Sequence, residues 1–189
     1  MKGSLLFVSG LSGAGKTTLI DYALRNVPAL EYLKTVTTRP RRPSEATSNE
    51  YLFVSDEEYE RYKIASQHWD HTEYNGCEYG ADVEDVRRKL EKGTHIICAV
   101  APDKQVIVDM AKLYGERPTT IWIDTPREIA QARISSDRTR KTRIEDEGVK
   151  DTFDSIFTPT GNLQLDCSDF AETLKALLRD RGSFSKRQA

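Results

Sequence analysis

The sequence predicts an α/β protein in three layers, a parallel sheet covered by helices on both faces. Three observations carry that expectation. Ser4 to Ser9 (SLLFVS) is a short apolar run suited to a buried strand, Gly10 to Thr17 is a glycine-rich turn, and Thr18 to Leu24 has helical spacing. Further along, apolar runs alternate with amphipathic segments, which implies parallel strands joined by right-handed crossovers. The length of 189 residues fits one domain with room for a small insert.

The turn Gly10-Leu11-Ser12-Gly13-Ala14-Gly15-Lys16-Thr17 satisfies the phosphate-loop pattern G-x-x-x-x-G-K-[ST] at every fixed position. Glycines let the backbone curl and bring N–H groups against phosphate oxygens without a Cβ in the way. The helix that follows adds its unpaired N–H groups and positive dipole end. Gly10, Ser12, Gly13, Ala14, Gly15, Lys16, Thr17 and Thr18 are therefore the residues expected to bind a nucleoside triphosphate. Lys16 is placed to reach the β- and γ-phosphates, and the Thr17 hydroxyl to hold Mg²⁺.

After the loop, the helix is expected to run to about Asn26 and to close at Val27-Pro28, because a proline disfavours helix at the residue before it. Lys34 to Pro43 is a β-branched stretch entering a basic, proline-punctuated turn with Arg39, Arg41 and Arg42. Such arginines suit either a solvated loop or a clamp on a second phosphate, since the guanidinium fork matches phosphate oxygens. Glu50 to Val54 alternates like a strand, and Ser55 with Glu58 forms a capping box for a helix over 57–65. Gln67 to Tyr79 reads as a hairpin turning at Asn75-Gly76.

Asp82 to Lys92 is an amphipathic helix stopped by Gly93, followed by a buried strand at His95 to Val100. A helix over 103–114, a strand over 119–123 and a helix entered near Pro126 come next. Leu163 to Cys167 is expected as the last strand and Asp169 to Arg179 as the last helix, with a frayed polar end beyond it.

Bulk composition narrows the partners. Net charge is −2, from 28 basic and 30 acidic residues, so nothing global recommends nucleic acid or an anionic membrane. No apolar run approaches a membrane span, and the first residues enter a strand instead of reading as a signal peptide. Cys77, Cys98 and Cys167 lack metal-ligand spacing and read as reduced thiols of a cytoplasmic protein. His68 and His71 have no further ligand candidates beside them, so no metal site is expected there.

Four stretches together resemble the guanylate kinase family: the phosphate loop from Ser9, Thr37 to Pro43 (TTRPRRP), Tyr51 to Ser55 (YLFVS) and Gly76 to Gly80 (GCEYG). Order and spacing agree through about Gly93, and beyond that point only the strand–helix rhythm does. The resemblance implies a three-layer P-loop kinase fold with a small NMP-binding insert at about 34–81 and an Arg-rich lid at about 133–147. Residues 1–182 would be a single domain and 183–189 a tail. It further implies ATP and Mg²⁺ as donor and cofactor, transfer to a nucleoside monophosphate, and Arg39, Arg42, Tyr51 and Tyr79 as holders of the acceptor phosphate. Thr35 stands where the family touches guanine with a hydroxyl. Asp70 stands where it accepts the N–H groups of the base edge, although alone it also reads as a surface acid beside Trp69.

The sequence departs from the family at several places. Ala81 replaces a hydroxyl residue, and Ala101 and Ala99 replace aspartates, one of which helps read guanine. Loss of such partners can reduce discrimination by orders of magnitude. Asp103 or Asp124 would then support the metal, or Thr17 would hold it together with the ATP phosphates and water. Arg133, Arg138, Arg140 and Arg143 crowd the lid, and Arg138 and Arg143 are expected to act with Lys16 in catalysis. The expected reaction converts a nucleoside monophosphate, GMP or dGMP first, to the diphosphate. The rivals are a kinase for another phosphorylated acceptor, a non-catalytic binding module and a nucleotide-dependent switch.

Overall fold

The computed structural model describes residues 2–41, 50–74, 76–100, 104–135 and 149–184. In chain order the elements are β1 (Leu5–Gly10), α1 (Lys16–Asn26), β2 (Leu30–Tyr32), β3 (Thr35–Thr37), β4 (Tyr51–Phe53), α2 (Asp56–Ala65), β5 (Trp69–Tyr74) and β6 (Cys77–Asp82). They continue with α3 (Val83–Glu91), β7 (His95–Ala99), α4 (Lys104–Tyr114), β8 (Thr119–Ile123), α5 (Arg127–Ser135), a 3-10 turn (Lys150–Thr152), β9 (Ser155–Phe157) and α6 (Leu163–Phe184).

Five strands form a parallel sheet in the order β2-β7-β1-β8-β9. β1 lies at its centre and is buried along its whole length. Alternate residues of a strand point to opposite faces, and β1 divides its side chains accordingly. Leu6 and Val8 join Leu19, Ile20 and Ala23 of α1 and Phe170, Ala171 and Leu174 of α6 in one apolar cluster. Leu5 and Phe7 join Val83, Val86 and Leu90 of α3 and Tyr114 of α4 in another. These two clusters make the helix–sheet–helix layering. Each fully buried Leu, Ile or Phe in them contributes about 1.5–3 kcal/mol. Successive strands run to one side of β1 and then to the other, so the sheet's topological switch lies at its carboxyl end, where the glycine-rich loop begins.

A second sheet, ordered β4-β3-β6-β5, stands beside the first. β5 and β6 pair antiparallel as the expected hairpin; Gly76 has φ 71°, and Asn75 lies outside the described residues. The capping box of α2 is present in both directions: Ser55 Oγ accepts from Glu58 N at 3.2 Å, and Ser55 N donates to Glu58 Oε2 at 3.0 Å.

One element differs from expectation. Leu163 to Cys167 is not a strand but the first turn of α6, and the last strand is Ser155–Phe157, parallel to β8. The alternation of Leu163, Leu165 and Cys167 imitates a period of two, yet Leu163 and Leu165 are 63% and 47% exposed. Burial instead follows Cys167, Phe170, Ala171 and Leu174, a helical spacing. The turn that starts this helix is tied by Asp166, whose carboxylate accepts from Thr160 N, Thr160 Oγ1 and Gly161 N at 2.7, 2.7 and 3.1 Å. Asn162 Oδ1 accepts from Leu165 N. α6 runs on to Phe184.

Candidate functional site

The loop between β1 and α1 is held in shape from beneath. Gly10, Gly13 and Gly15 have φ of 144°, 82° and 93°, a region that L side chains rarely adopt. A Cβ on Gly13 would lie 2.3 Å from the Ala130 carbonyl oxygen, so α5 packs directly on the loop backbone. Ala14 is buried; its N–H donates to Leu11 O at 3.0 Å and its carbonyl accepts from Thr125 Oγ1 at 2.9 Å. Gly15 caps α1 without a side-chain hydrogen bond, and no acid occupies the first turn. The start of this helix therefore keeps its positive character for an anion. Lys16 Nζ donates to the carbonyls of Gly10 and Leu11 at 2.7 and 2.9 Å, which brings the ammonium over the loop. Thr17 and Thr18 are exposed at the first turn, and Ser12 is half-buried on the loop.

The second sheet gathers the acceptor-side candidates on one face. Thr35 pairs with Tyr51, Thr37 with both Phe53 and Tyr79, and Asp70 with Ala81. Paired residues share a side of a sheet, as do residues two apart on one strand. Thr35, Tyr51, Tyr79 and Asp70 therefore lie on the same face. The rings of Tyr51 and Tyr79 meet edge to face at 6.1 Å, and the Arg39 guanidinium lies 5.3 Å from the Tyr51 ring centre and 5.2 Å from that of Phe53. Arg39 is steadied locally: its N–H donates to Thr37 Oγ1 and Nη1 to Pro40 O.

The opposite face is structural. Gly80 lets the Trp69 indole lie flat against the backbone, where a Cβ would meet Nε1 at 2.3 Å. Trp69 Nε1 donates to Tyr59 Oη at 3.1 Å, and Tyr59 Oη donates to Tyr79 O at 2.9 Å. This chain ties α2 to the backbone of Tyr79. A cavity of about 220 Å³ is lined on this side by Val36, Leu52, Trp69 and Val86. Charges at its rim pair with one another, Lys89 with Glu31 and Asp85, and Arg88 with Asp85.

Asp70 is half-buried, and Tyr114 Oη donates to its Oδ2 at 2.9 Å. Burial raises the Asp70 carboxyl above its ordinary value, while the Tyr114 bond and the neighbouring His71 and His68 pull it down. Burial also raises the Tyr51 phenol, with Glu50 adding to the effect and Arg39 opposing it. Cys98, on β7, is raised by burial with Asp70 and Glu50 adding, which puts these groups beside the carboxyl end of β7. That end is bonded to the strand leading into the loop: Val100 N donates to Val8 O, and Ser9 Oγ to Val100 O. The acceptor face thus stands against the strand next to the phosphate loop.

Arg42, Arg138, Arg143, Ala101 and Asp103 lie outside the described residues. Asp124 Oδ2 faces Lys150 Nζ at 3.4 Å. Two residues at the site were given no role by sequence alone. Arg133 of α5 donates from Nη1 to Gly13 O at 3.2 Å, and Tyr114 holds Asp70. Arg133 was visible as the first of a basic run, but Tyr114 is an unremarked aromatic at a helix end. Among the described residues, no group of three His, Cys, Asp or Glu side chains is arranged to hold a metal. None of their helices is long and apolar enough to cross a membrane.

Fold and loop together define a P-loop phosphotransferase of the nucleoside monophosphate kinase class. Comparison with known proteins narrows the class. The chain matches the family model described as Guanylate kinase over residues 2–179, and it belongs to the guanylate kinase family. The match takes in the second half, where the motifs thin out. Guanylate kinase of Rubrobacter xylanophilus is 34% identical over 165 residues, covering 81% of this chain and 84% of that one. Guanylate kinase of Bacteroides thetaiotaomicron is 32% identical, covering 84% and 78%. The crystal structure of guanylate kinase from Anaplasma phagocytophilum superposes with a TM-score of 0.62 at 21% identity, over 94% of this chain and 87% of that one, which speaks to fold. A kinase for another phosphorylated acceptor and a non-catalytic binding module are not favoured.

Proposed function

We propose that the protein transfers the γ-phosphoryl group of ATP to GMP or dGMP, giving ADP and the nucleoside diphosphate. An oxygen of the acceptor phosphate bonds to the γ-phosphorus as the bond to the β–γ bridging oxygen breaks. The acceptor oxygen is already anionic, so no general base is required, and catalysis rests on positioning and charge stabilisation. In this reading Gly10 to Thr18 bind ATP, and Lys16 stabilises the transferring group. Arg39, Arg42, Tyr51 and Tyr79 hold the acceptor phosphate, and Thr35 and Asp70 read the base. Arg138 and Arg143 would close over the phosphates, joined by Arg133 from below the loop. The uncapped, acid-free start of α1 and the chemistry of Lys16 and Thr17 fit a magnesium nucleotide. Mg²⁺, when bound, would neutralise charge on the phosphates, with Thr17 as its protein ligand. A small-nucleotide substrate, net charge of −2 and cysteines outside any disulfide suit a cytoplasmic enzyme that does not act on nucleic acid.

The single observation that carries the base assignment is the half-buried Asp70 carboxylate on one face with Thr35, Tyr51 and Tyr79. One carboxylate accepts both N–H groups of the guanine edge, whereas adenine presents a lone pair at N1. A panel of NMPs and dNMPs with ATP and Mg²⁺, read by ADP formation, tests it. GMP and dGMP should lead, AMP should be poor, and IMP, which lacks the exocyclic amine, should fall between. A pyrimidine or sugar phosphate that beats GMP overturns the base assignment and leaves the kinase chemistry standing.

A further inference from the structure

Tyr114 ends α4, a helix of the main sheet's outer layer, while Asp70 sits on the second sheet. The ring of Tyr114 is buried in the apolar cluster that contains Ala81, Val83, Val86 and Cys98. Its hydroxyl is the one polar end of that side chain, and it donates to Asp70 Oδ2 at 2.9 Å. Ala81, directly across the hairpin from Asp70, offers no side-chain donor. The carboxylate is therefore oriented from the main body of the protein, by a residue 44 positions away.

From this geometry we propose that Tyr114 is the positioning residue for base recognition: its hydroxyl holds the Asp70 carboxylate in one orientation, with the remaining lone pairs presented to the N–H edge of the acceptor purine. The proposal rests on the guanine reading above. An ionised carboxylate has room for about four hydrogen bonds, so one donor from Tyr114 leaves capacity for two from the base. Without that donor the terminal torsion of a short acid is broad, and the base would have to order it on binding. The titratable groups that interact electrostatically with Asp70 are Tyr114, bonded to it, Cys98 of β7, His68 just before β5, and His71 of β5 and Tyr59 of α2 from the other face of the sheet. Tyr114 and the histidines favour the ionised form, and burial opposes it.

Tyr114→Phe keeps the ring in the cluster and removes only the hydroxyl. Steady-state kinetics should show the GMP KM raised about tenfold, the lower end for a hydrogen bond to a charged group, with kcat and the ATP KM changed less than about twofold. The preference for GMP over IMP should shrink. The acid limb of kcat/KM for GMP should move to higher pH, because burial of the carboxylate is then less opposed. In a double-mutant cycle, Tyr114→Phe should add nothing to Asp70→Asn, since the hydroxyl acts through that carboxylate. An unchanged GMP KM, an unmoved acid limb, or losses that multiply with those of Asp70→Asn would overturn the proposal. So would a parallel rise in both KM values with a lowered Tm, the signature of a packing role. Failure of the base reading looks different: Asp70→Asn alone would then leave GMP kinetics untouched.

Discussion

The loop after β1 and the face of the second sheet are the two proposed phosphate sites, and they differ in what they present: backbone N–H groups in the loop, side chains on the sheet. The loop's geometry comes from contiguous residues: three glycines at positive φ, a buried Ala14 and the start of α1. The candidate acceptor face comes from four strands whose pleats bring Thr35, Tyr51, Tyr79 and Asp70 to one side. Backbone recognition tolerates change at exposed positions and fails when the chain cannot turn. Side-chain recognition degrades one contact at a time. The two regions should therefore respond differently to substitution.

Lys16→Ala is the most damaging change expected. On the proposed mechanism it removes a charge from the reacting phosphates, and turnover should fall by about 10²–10³-fold or more, as when one preorganised stabilising group is lost. Circular dichroism should show the fold intact; a mutant with normal turnover would take the loop out of the mechanism. Next comes Arg39→Ala, which should raise the GMP KM by about 10–100-fold, the equivalent of a hydrogen bond to a charged group. Calorimetric ATP affinity should hardly move, and a parallel collapse of ATP binding would erase the division between the two regions.

Two glycines compare the regions by stability. Gly13→Ala would set a Cβ 2.3 Å from Ala130 O at φ 82°, and should cost about 1–3 kcal/mol in denaturant unfolding together with ATP affinity. Gly80→Ala would press on the Trp69 indole and disturb its bond to Tyr59. A similar loss of about 1–3 kcal/mol is expected from overpacking, but here the GMP KM should rise while ATP affinity holds. Exchange of those two kinetic signatures would break the comparison.

The smallest effect is a pH dependence outside both regions. His95 Nδ1 accepts from Ser4 N at 3.0 Å, and burial lowers the His95 pKa below its ordinary 6.5. The unfolded chain then takes up a proton before the folded one does. The contribution is complete above about pH 6.5 and is lost as pH falls toward the lowered folded value. Thermal melts of His95→Gln should lose part of the acid sensitivity seen in the parent between pH 7 and about pH 5, the range in which an ordinary histidine titrates. Asp70 has the opposite sign: its raised carboxyl pKa makes the folded state less stable as pH rises from its ordinary 3.8 through the raised value.

What the sequence alone determined about this protein is what local chemistry encodes. The phosphate loop, the Ser55–Glu58 capping box and the hairpin over Gly76 each depend on residues a few positions apart, and each has the backbone its residues require. The strand–turn–helix start and the alternation behind it were enough for the three-layer fold. Only the tertiary structure decided the rest. Leu163 to Cys167 carries a strand's alternation, and it became helix because Cys167, Phe170, Ala171 and Leu174 bury together while Asp166 ties the turn ahead. Asp70 reads equally as a surface acid until Tyr114, 44 residues on, is found bonded to it, and Arg133 meets Gly13 across 120 residues. Burial and long-range hydrogen bonds arise from which surfaces meet, and no short window of sequence contains both partners.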